Sequence, residues 1–365
     1  MIRFFSAIVA MSFAATAQAQ APACKAPAPV CEAAADVFAI ASFDPVASAV
    51  RIAPGLLVTN RHAVADNDMA EVILPDGKRL KGEIVPTAYP GDLILVKAPD
   101  VGAPTKTAMG TAAREAALYN IGADIGRGAI RVYAPGKAIA LPVDGKPLSR
   151  IHHDAESQPG NSGGAVVDGD GRLVGIVASG GEGRNEAIPA AEIEKLKAAS
   201  GPEHAAASKA IGKAYRQCTE IVETTRSHRG KPQEDALRTL IAACTATGNR
   251  QMMDVAGQTL GGMGKPAAAV AMFEKGLETD PMAPNGLLSL VVALGQMRRQ
   301  TDALPHLKRL IEMMPTDLQV LRLSIHAGKF GGDRPFADRA MALLEKHHPK
   351  VAPAARRFLE AEPRR

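Results

Sequence analysis

The chain carries no block of like charge. Its 43 Lys and Arg stand against 38 Asp and Glu, a formal excess of +5 dispersed over 365 residues. So weak and scattered a charge gives no footing for nucleic acid or an anionic membrane surface. After the first twenty residues no apolar run reaches spanning length; "GLLSLVVALG" has roughly half the residues a helical span needs. Neither a nucleotide-binding glycine loop nor a metal-ligand spacing occurs. His152 and His153 are adjacent in an extended segment, so their side chains leave opposite faces and chelate poorly, and His347 and His348 are equally poor candidates. No metal and no cofactor is expected. Cysteine is scarce, with four in the whole chain.

The opening stretch "MIRFFSAIVAMSFAATAQAQ" has one positive charge, an apolar run from Phe4 to about Ala15, and the small-residue ending Ala17-Gln18-Ala19. That is the layout of a signal peptide over residues 1–19, followed by an N-terminal segment over 20–34. Export, to a periplasm or to the medium, lets disulfides persist. Four cysteines allow three pairings. The favoured one joins Cys24 to Cys31, close in sequence, and Cys218 to Cys244 across a helical hairpin turning near "SHRGKP"; free buried thiols are the alternative.

Residues 35–200 read as short apolar strands divided by turn dipeptides, with hairpins at Pro75-Asp76-Gly77 and at Asp168 to Gly171. Many such strands imply an all-β barrel or sandwich. Residues 201–365 change character to amphipathic helices. Pro281, Pro315 and Pro349 are spaced 34 apart, as are Ala269, Ala303 and Ala337. A small residue where two helices cross and a proline after the second helix, at this period, resemble the tetratricopeptide repeat. The resemblance is partial: Gly257 fits that repeat's first helix, whereas Val291 and Ile325 hold the same place later. The methionines Met313 and Met314 read as packing.

In "QPGNSGGA" the glycines flanking Ser162 let backbone crowd around the hydroxyl and free amide N–H groups to converge on an anion. A glycine-rich turn is the commoner meaning of such a cluster. Two other stretches decide between the readings. "TNRHAVAD" puts His62 just after an apolar strand, and "GDLILVK" puts Asp92 at the start of another. The order His, Asp, Ser is one of the known orders of a nucleophile triad. With "YNIGADIGRG" and "DAESQPGNSGGAVVDGDGRLVGI", these stretches resemble the trypsin-fold, chymotrypsin-like serine proteases, and within them the HtrA-like branch.

That resemblance implies two six-stranded barrels with the site between them, followed here by an all-α repeat domain. It gives Ser162 the role of nucleophile, His62 of base, and Asp92 of orienting acid, with the N–H groups of Gly160 and Ser162 as oxyanion hole. It places Ser179 and Gly180 along the substrate, and Glu156, six residues before Ser162, in a pocket favouring a basic side chain; Glu156 as a solvated loop residue is the competing reading. The chain departs from the family in two respects: helical repeats stand where HtrA-like members usually carry a PDZ domain, and the basic site followed by "IVGG" of trypsin-type zymogens does not precede the β region. The expected function is an exported serine endopeptidase acting on protein or peptide, its helical domain recruiting substrate or partner. An inactive protease fold serving as a binding scaffold is the alternative.

Overall fold

A computed structural model describes residues 24–102, 105, 107–125, 129–181, 183–227 and 234–361. The signal-peptide reading, the hairpin turn near "SHRGKP" and the end of "YNIGADIGRG" fall outside the described residues. After a short helix α1 (Ala28–Ala33), six strands follow, interrupted by one helical turn. They are β1 (Val37–Ala41), β2 (Ala47–Ala53), β3 (Leu56–Thr59), β4 (Met69–Ile73), β5 (Arg79–Val85) and β6 (Ile94–Lys97); the turn α2 (Arg61–Val64) lies between β3 and β4. They close into a barrel in the order β1-β2-β3-β6-β5-β4. β4 and β5 alternate exposed and buried residues along their length, the period that gives a strand one wet and one dry face. Their inward residues Ala70, Val72, Leu80 and Ile84 join Ile40, Leu57, Ile94 and Val96 in the barrel core.

The second β unit comprises β7 (Leu118–Asp124), β8 (Ala129–Val132), β9 (Ala138–Ala140), β10 (Ile151–His153), β11 (Ala165–Asp168), β12 (Leu173–Ser179) and β13 (Asn185–Pro189). It is a seven-stranded antiparallel sheet in the order β8-β7-β11-β12-β13-β10-β9, where the resemblance implied a second six-stranded barrel. β7 is buried at every position because the first barrel covers one of its faces, with β1 and β2 both in contact with it. The expected hairpins are present as β4–β5 and β11–β12.

Helix α3 (Glu192–Ala198) closes the β region. Beyond it lie α4 (Ala205–Ser227), α5 (Glu234–Ala246), α6 (Arg250–Gly262), α7 (Pro266–Thr279), α8 (Pro284–Gln296), α9 (Gln300–Met313), α10 (Leu318–Phe330), α11 (Arg334–His347) and α12 (Ala352–Glu360). The starts of α7, α9 and α11 are 34 residues apart, as are those of α8, α10 and α12. Ala269, Ala303 and Ala337 are buried where paired helices cross. A Cβ on Gly257 would sit 2.5 Å from the Phe273 ring, so glycine lets α6 approach α7; Val291 and Ile325 are buried at the corresponding sites. Cys24 is bonded to Cys31, and Cys218 of α4 to Cys244 of α5.

The helices pack against the β region on the side that carries α2. Arg61, 1% exposed, donates from Nη1 to Ser208 Oγ of α4 at 3.0 Å. Gly212 of α4 lies against the Ala65 carbonyl, where any side chain would collide with backbone. Arg216 pairs with Asp66 at 2.5 Å and lies over the Phe43 ring at 4.5 Å. Further along, Arg184, just before β13, pairs with Asp317 at 2.9 Å and with Asn285 at 3.0 Å.

Candidate active site

His62 and Asp92 come together because α2 begins as β3 ends, against the bend before β6. Asn60 Nδ2 and the Arg61 N–H both donate to the Asp92 carbonyl oxygen, at 3.0 and 3.3 Å. The His62 N–H donates to Asp92 Oδ1 at 3.0 Å, and His62 Nδ1 stands 2.7 Å from Asp92 Oδ2. Asp92 is 2% exposed. Burial disfavours its charge, but the His62 charge and hydrogen bond, Arg150 and the His62 amide outweigh that and hold its carboxyl below the usual range. An ionised carboxylate only accepts, so Nδ1 carries the proton and Nε2 of the neutral ring is left as the base. Burial also disfavours a charged His62; Asp92, with help from Asp44, more than reverses this and raises the imidazole above its ordinary value, while Arg150 opposes the rise.

The Ser162 loop is fixed from both β units. Gly160 and Gly163 have φ of +93° and +84°, values that glycine adopts without strain. A Cβ on Gly160 would meet Ile125 Cγ1 at 2.9 Å and the Ala123 carbonyl oxygen at 3.0 Å, and one on Gly163 would collide with the Ser48 carbonyl oxygen. Asn161 Nδ2 donates to the Ala123 carbonyl oxygen at 3.1 Å, and its Oδ1 accepts from the Gln158 N–H at 2.9 Å. Ser48 of β2 reaches across from the first barrel. Its N–H donates to the Ser162 carbonyl oxygen at 2.7 Å. Its Oγ donates to the Gly160 carbonyl oxygen at 2.7 Å and accepts from the Ala123 N–H at 2.8 Å. Ser162 Oγ donates to the Ala178 carbonyl oxygen at 3.4 Å; among the described residues it forms no hydrogen bond to His62.

The remaining expected residues lie around this loop. Ser179, at the end of β12, pairs in register with Glu186 of β13. Gly180 follows it against the Asn185 side chain, which leaves no space for a Cβ. Glu156 is exposed; its Oε2 accepts from the Ala134 N–H at 3.3 Å and its Oε1 lies 4.0 Å from Arg131. His152 and His153 do leave opposite faces of β10: His152 Nε2 bonds Asp280 at 2.8 Å. His153 is enclosed, and burial pushes it down to about 4, so the ring is neutral. Among the described residues no group of His, Cys, Asp and Glu is arranged to hold a metal ion.

Ser48, Asn161 and Arg150 were not singled out from the sequence. Ser48 had one legible signal, a lone hydroxyl inside the apolar strand "VASAV". Asn161 adjoins Ser162. Arg150 had none.

A closed six-stranded barrel joined to a second antiparallel β unit, with a His–Asp pair on one and a glycine-framed serine on the other, makes the β region a trypsin-like peptidase domain. Residues 47–176 match the family model of that description, the trypsin-like peptidase domain. The Do-like HtrA serine protease of Lactobacillus helveticus is 29% identical over 134 residues, 33% of this chain and 32% of that protein. The HtrA-like serine protease of Staphylococcus epidermidis is 29% identical over 160 residues, 38% of this chain and 27% of that one. The crystal structure of a serine endoprotease from Yersinia pestis aligns with 47% of this chain and 64% of its own at 24% identity and a TM-score of 0.40. The chain thus spans about a third or less of the length of the curated relatives it matches.

Proposed function

We propose that this protein is a serine endopeptidase that cleaves peptide bonds through Ser162, His62 and Asp92. The observation that carries the reading is the doubly bonded His62–Asp92 pair, with 2.7 Å at Nδ1 and 3.0 Å at the main-chain N–H. It leaves Nε2 as the acceptor a serine nucleophile needs, since an unassisted hydroxyl attacks poorly at neutral pH. In the reaction His62 takes the Ser162 proton as Oγ attacks the scissile carbonyl, and delivers it to the leaving amine as the acyl-enzyme forms. Water, deprotonated by the same ring, then releases the acyl group. Asp92 stabilises the imidazolium formed at each stage. The Gly160 and Ser162 N–H groups serve as oxyanion donors; the Gly164 N–H, 2.8 Å from the Asn161 carbonyl oxygen, fixes the peptide plane that carries the Ser162 donor.

Glu156, exposed and only distantly paired with Arg131, offers a carboxylate to a basic substrate side chain. Ser179 and Gly180 lead from the nucleophile along the substrate backbone. A groove of about 500 Å³ continues from Gly180 and Gly181 onto α6 and α8, lined there by Gly257, Gln258, Leu288 and Val292. It supports a recruiting role for the helices, read as tetratricopeptide-like, toward substrate or partner. Two disulfides, taken with the leader read from the sequence, support an oxidising compartment, periplasmic or extracellular.

The test is covalent. Mature wild type and Ser162→Ala are treated with a fluorophosphonate probe and their intact masses compared. One adduct on wild type alone supports the endopeptidase. The turn of Ser162 Oγ toward Ala178 favours a second reading, a resting or inactive scaffold, and no adduct on either protein would establish it instead.

A further inference from the structure

Asp92 has a second partner besides His62. Arg150, immediately before β10 and 6% exposed along its side chain, places Nη2 3.9 Å from the same Oδ2 that faces His62 Nδ1. Its guanidinium is held in part from the helical region. Nη2 donates to Asn249 Oδ1 at 3.1 Å, and Nη1 reaches Gln251 Oε1 at 3.4 Å. The Arg150 N–H donates to Asp280 Oδ2 at 3.4 Å. From the β region, besides Asp92, Glu186 Oε2 of β13 accepts from Nη1 at 2.9 Å. Glu186 is itself bonded by Arg250, the first residue of α6, which also bonds Asp254. A buried guanidinium is tolerated only with such a set of partners, and here Asn249 and Gln251, at the start of α6, supply two of them beside Glu186 and Asp92.

We propose that Arg150 is a positioning residue for the Asp92–His62 pair, and that the helical region belongs to the catalytic apparatus because it holds the Arg150 guanidinium against Asp92. The inference rests on the endopeptidase reading above and gives it a second point of control. A fixed positive charge beside Oδ2 keeps Asp92 ionised. It also competes with the imidazolium, limiting how basic His62 becomes and so favouring the neutral ring that can take the Ser162 proton. Arg supplies this charge from a planar fork that two partners can lock, which the point charge of Lys does less well.

The other charges around the pair are fixed or identifiable. Arg61, Tyr89 and Tyr215 face Asp92, and burial holds both phenols above their ordinary range, hence neutral. Asp44 faces His62, its carboxyl raised by burial. Glu186, Asp254 and Asp280 surround Arg150 and Arg250. An Asp44→Asn background removes the carboxyl that acts on His62 from this side.

The experiment is the second-order rate of fluorophosphonate labelling of the full mature chain from pH 5 to 9, for wild type, Arg150→Gln, Arg150→Lys and Asn249→Ser. Serine at position 249 retains the cap of α6 while withdrawing the amide from Arg150. Loss of the Arg150 charge is expected to move the midpoint of the acid limb up by roughly half to one pH unit, a fall of about three- to tenfold in rate at pH 6. Asn249→Ser should move it less in the same direction, and Arg150→Lys should recover part of the wild-type midpoint. A role confined to packing would lower the rate at every pH and leave the midpoint in place, which overturns the proposal. If Arg150→Gln does not fold, Asn249→Ser decides it by the same criterion. If wild type is not labelled, the endopeptidase reading fails separately. The His62 ring proton, assigned by its loss in His62→Gln, is then titrated by NMR in wild type and Arg150→Gln. An upward shift in the variant supports the coupling, and coincident curves refute it.

Discussion

Ser48 is one hydroxyl serving two loops. Its Oγ satisfies both the Ala123 N–H and the Gly160 carbonyl, and it is fully enclosed where it does so. Removing it leaves a buried donor and a buried acceptor unpaired, each costing about 1–3 kcal/mol. Ser48→Ala is therefore expected to lower stability by at least about 2 kcal/mol in a urea melt and to slow probe labelling of Ser162, since the loop that holds Gly160 loses its tie to β2. Unchanged labelling in a destabilised variant would separate the fold from the site. At this scale His62, Asp92, Ser162 and the glycines were legible, because each stands in a short local context that dictates its backbone. Ser48 and Arg150 act across 112 and 36 positions of sequence, on Gly160 and Glu186 respectively, and nothing local marks contacts of that range.

α4 shows how one element is specified at its contact. Gly212 gives it a bare patch that lies against the Ala65 carbonyl, and Ser208 and Arg216 on either side bind Arg61 and Asp66. Gly212→Leu would push α4 away from the segment following α2. The expected cost is about 1–3 kcal/mol by overpacking, together with slower labelling of Ser162, because His62 is carried by the displaced turn. A thermal melt and the labelling rate, measured on the same sample, check this. The 34-residue repeat was readable because helix pairs restate the same packing each time: a small residue at the crossing and a proline past the end. The docking face was not, since α4 looks in sequence like any amphipathic helix, and one glycine in it carries no label for its partner.

The whole molecule is joined through buried charge, so its stability should respond to acid at that junction. Asp92, Asp280 and Glu186 all have carboxyls held below their usual range despite burial. His62 and Arg150 act on the first, His152 and Arg250 on the second, Arg250 and Arg150 on the third. A depressed carboxyl contributes stability that is present above its unfolded value, about 4, and lost as pH falls through the folded value. Asp254, pushed by burial up to about 6, works in the opposite sense and gives up its contribution as pH rises through that value. The melting temperature is expected to drop steeply below about pH 4, and Asp280→Asn should flatten that acid limb by removing one titrating member. An acid limb identical to wild type would place the acid-sensitive groups elsewhere.

The amino-acid sequence by itself determined the two kinds of architecture and the chain order of the residues proposed to react. Each of these follows from short-range pattern: alternation for strands, the 34-residue period for helix pairs, glycines where backbone must crowd a serine. The tertiary structure alone decided that the second β unit is a seven-stranded sheet, that Ser48 bridges the two β units, and that Asn249 and Gln251, 99 and 101 positions on, bond Arg150 where it adjoins Asp92. Those features depend on which surfaces meet when the chain packs, and a buried charge finds its partners by proximity in space, which local sequence spacing does not encode.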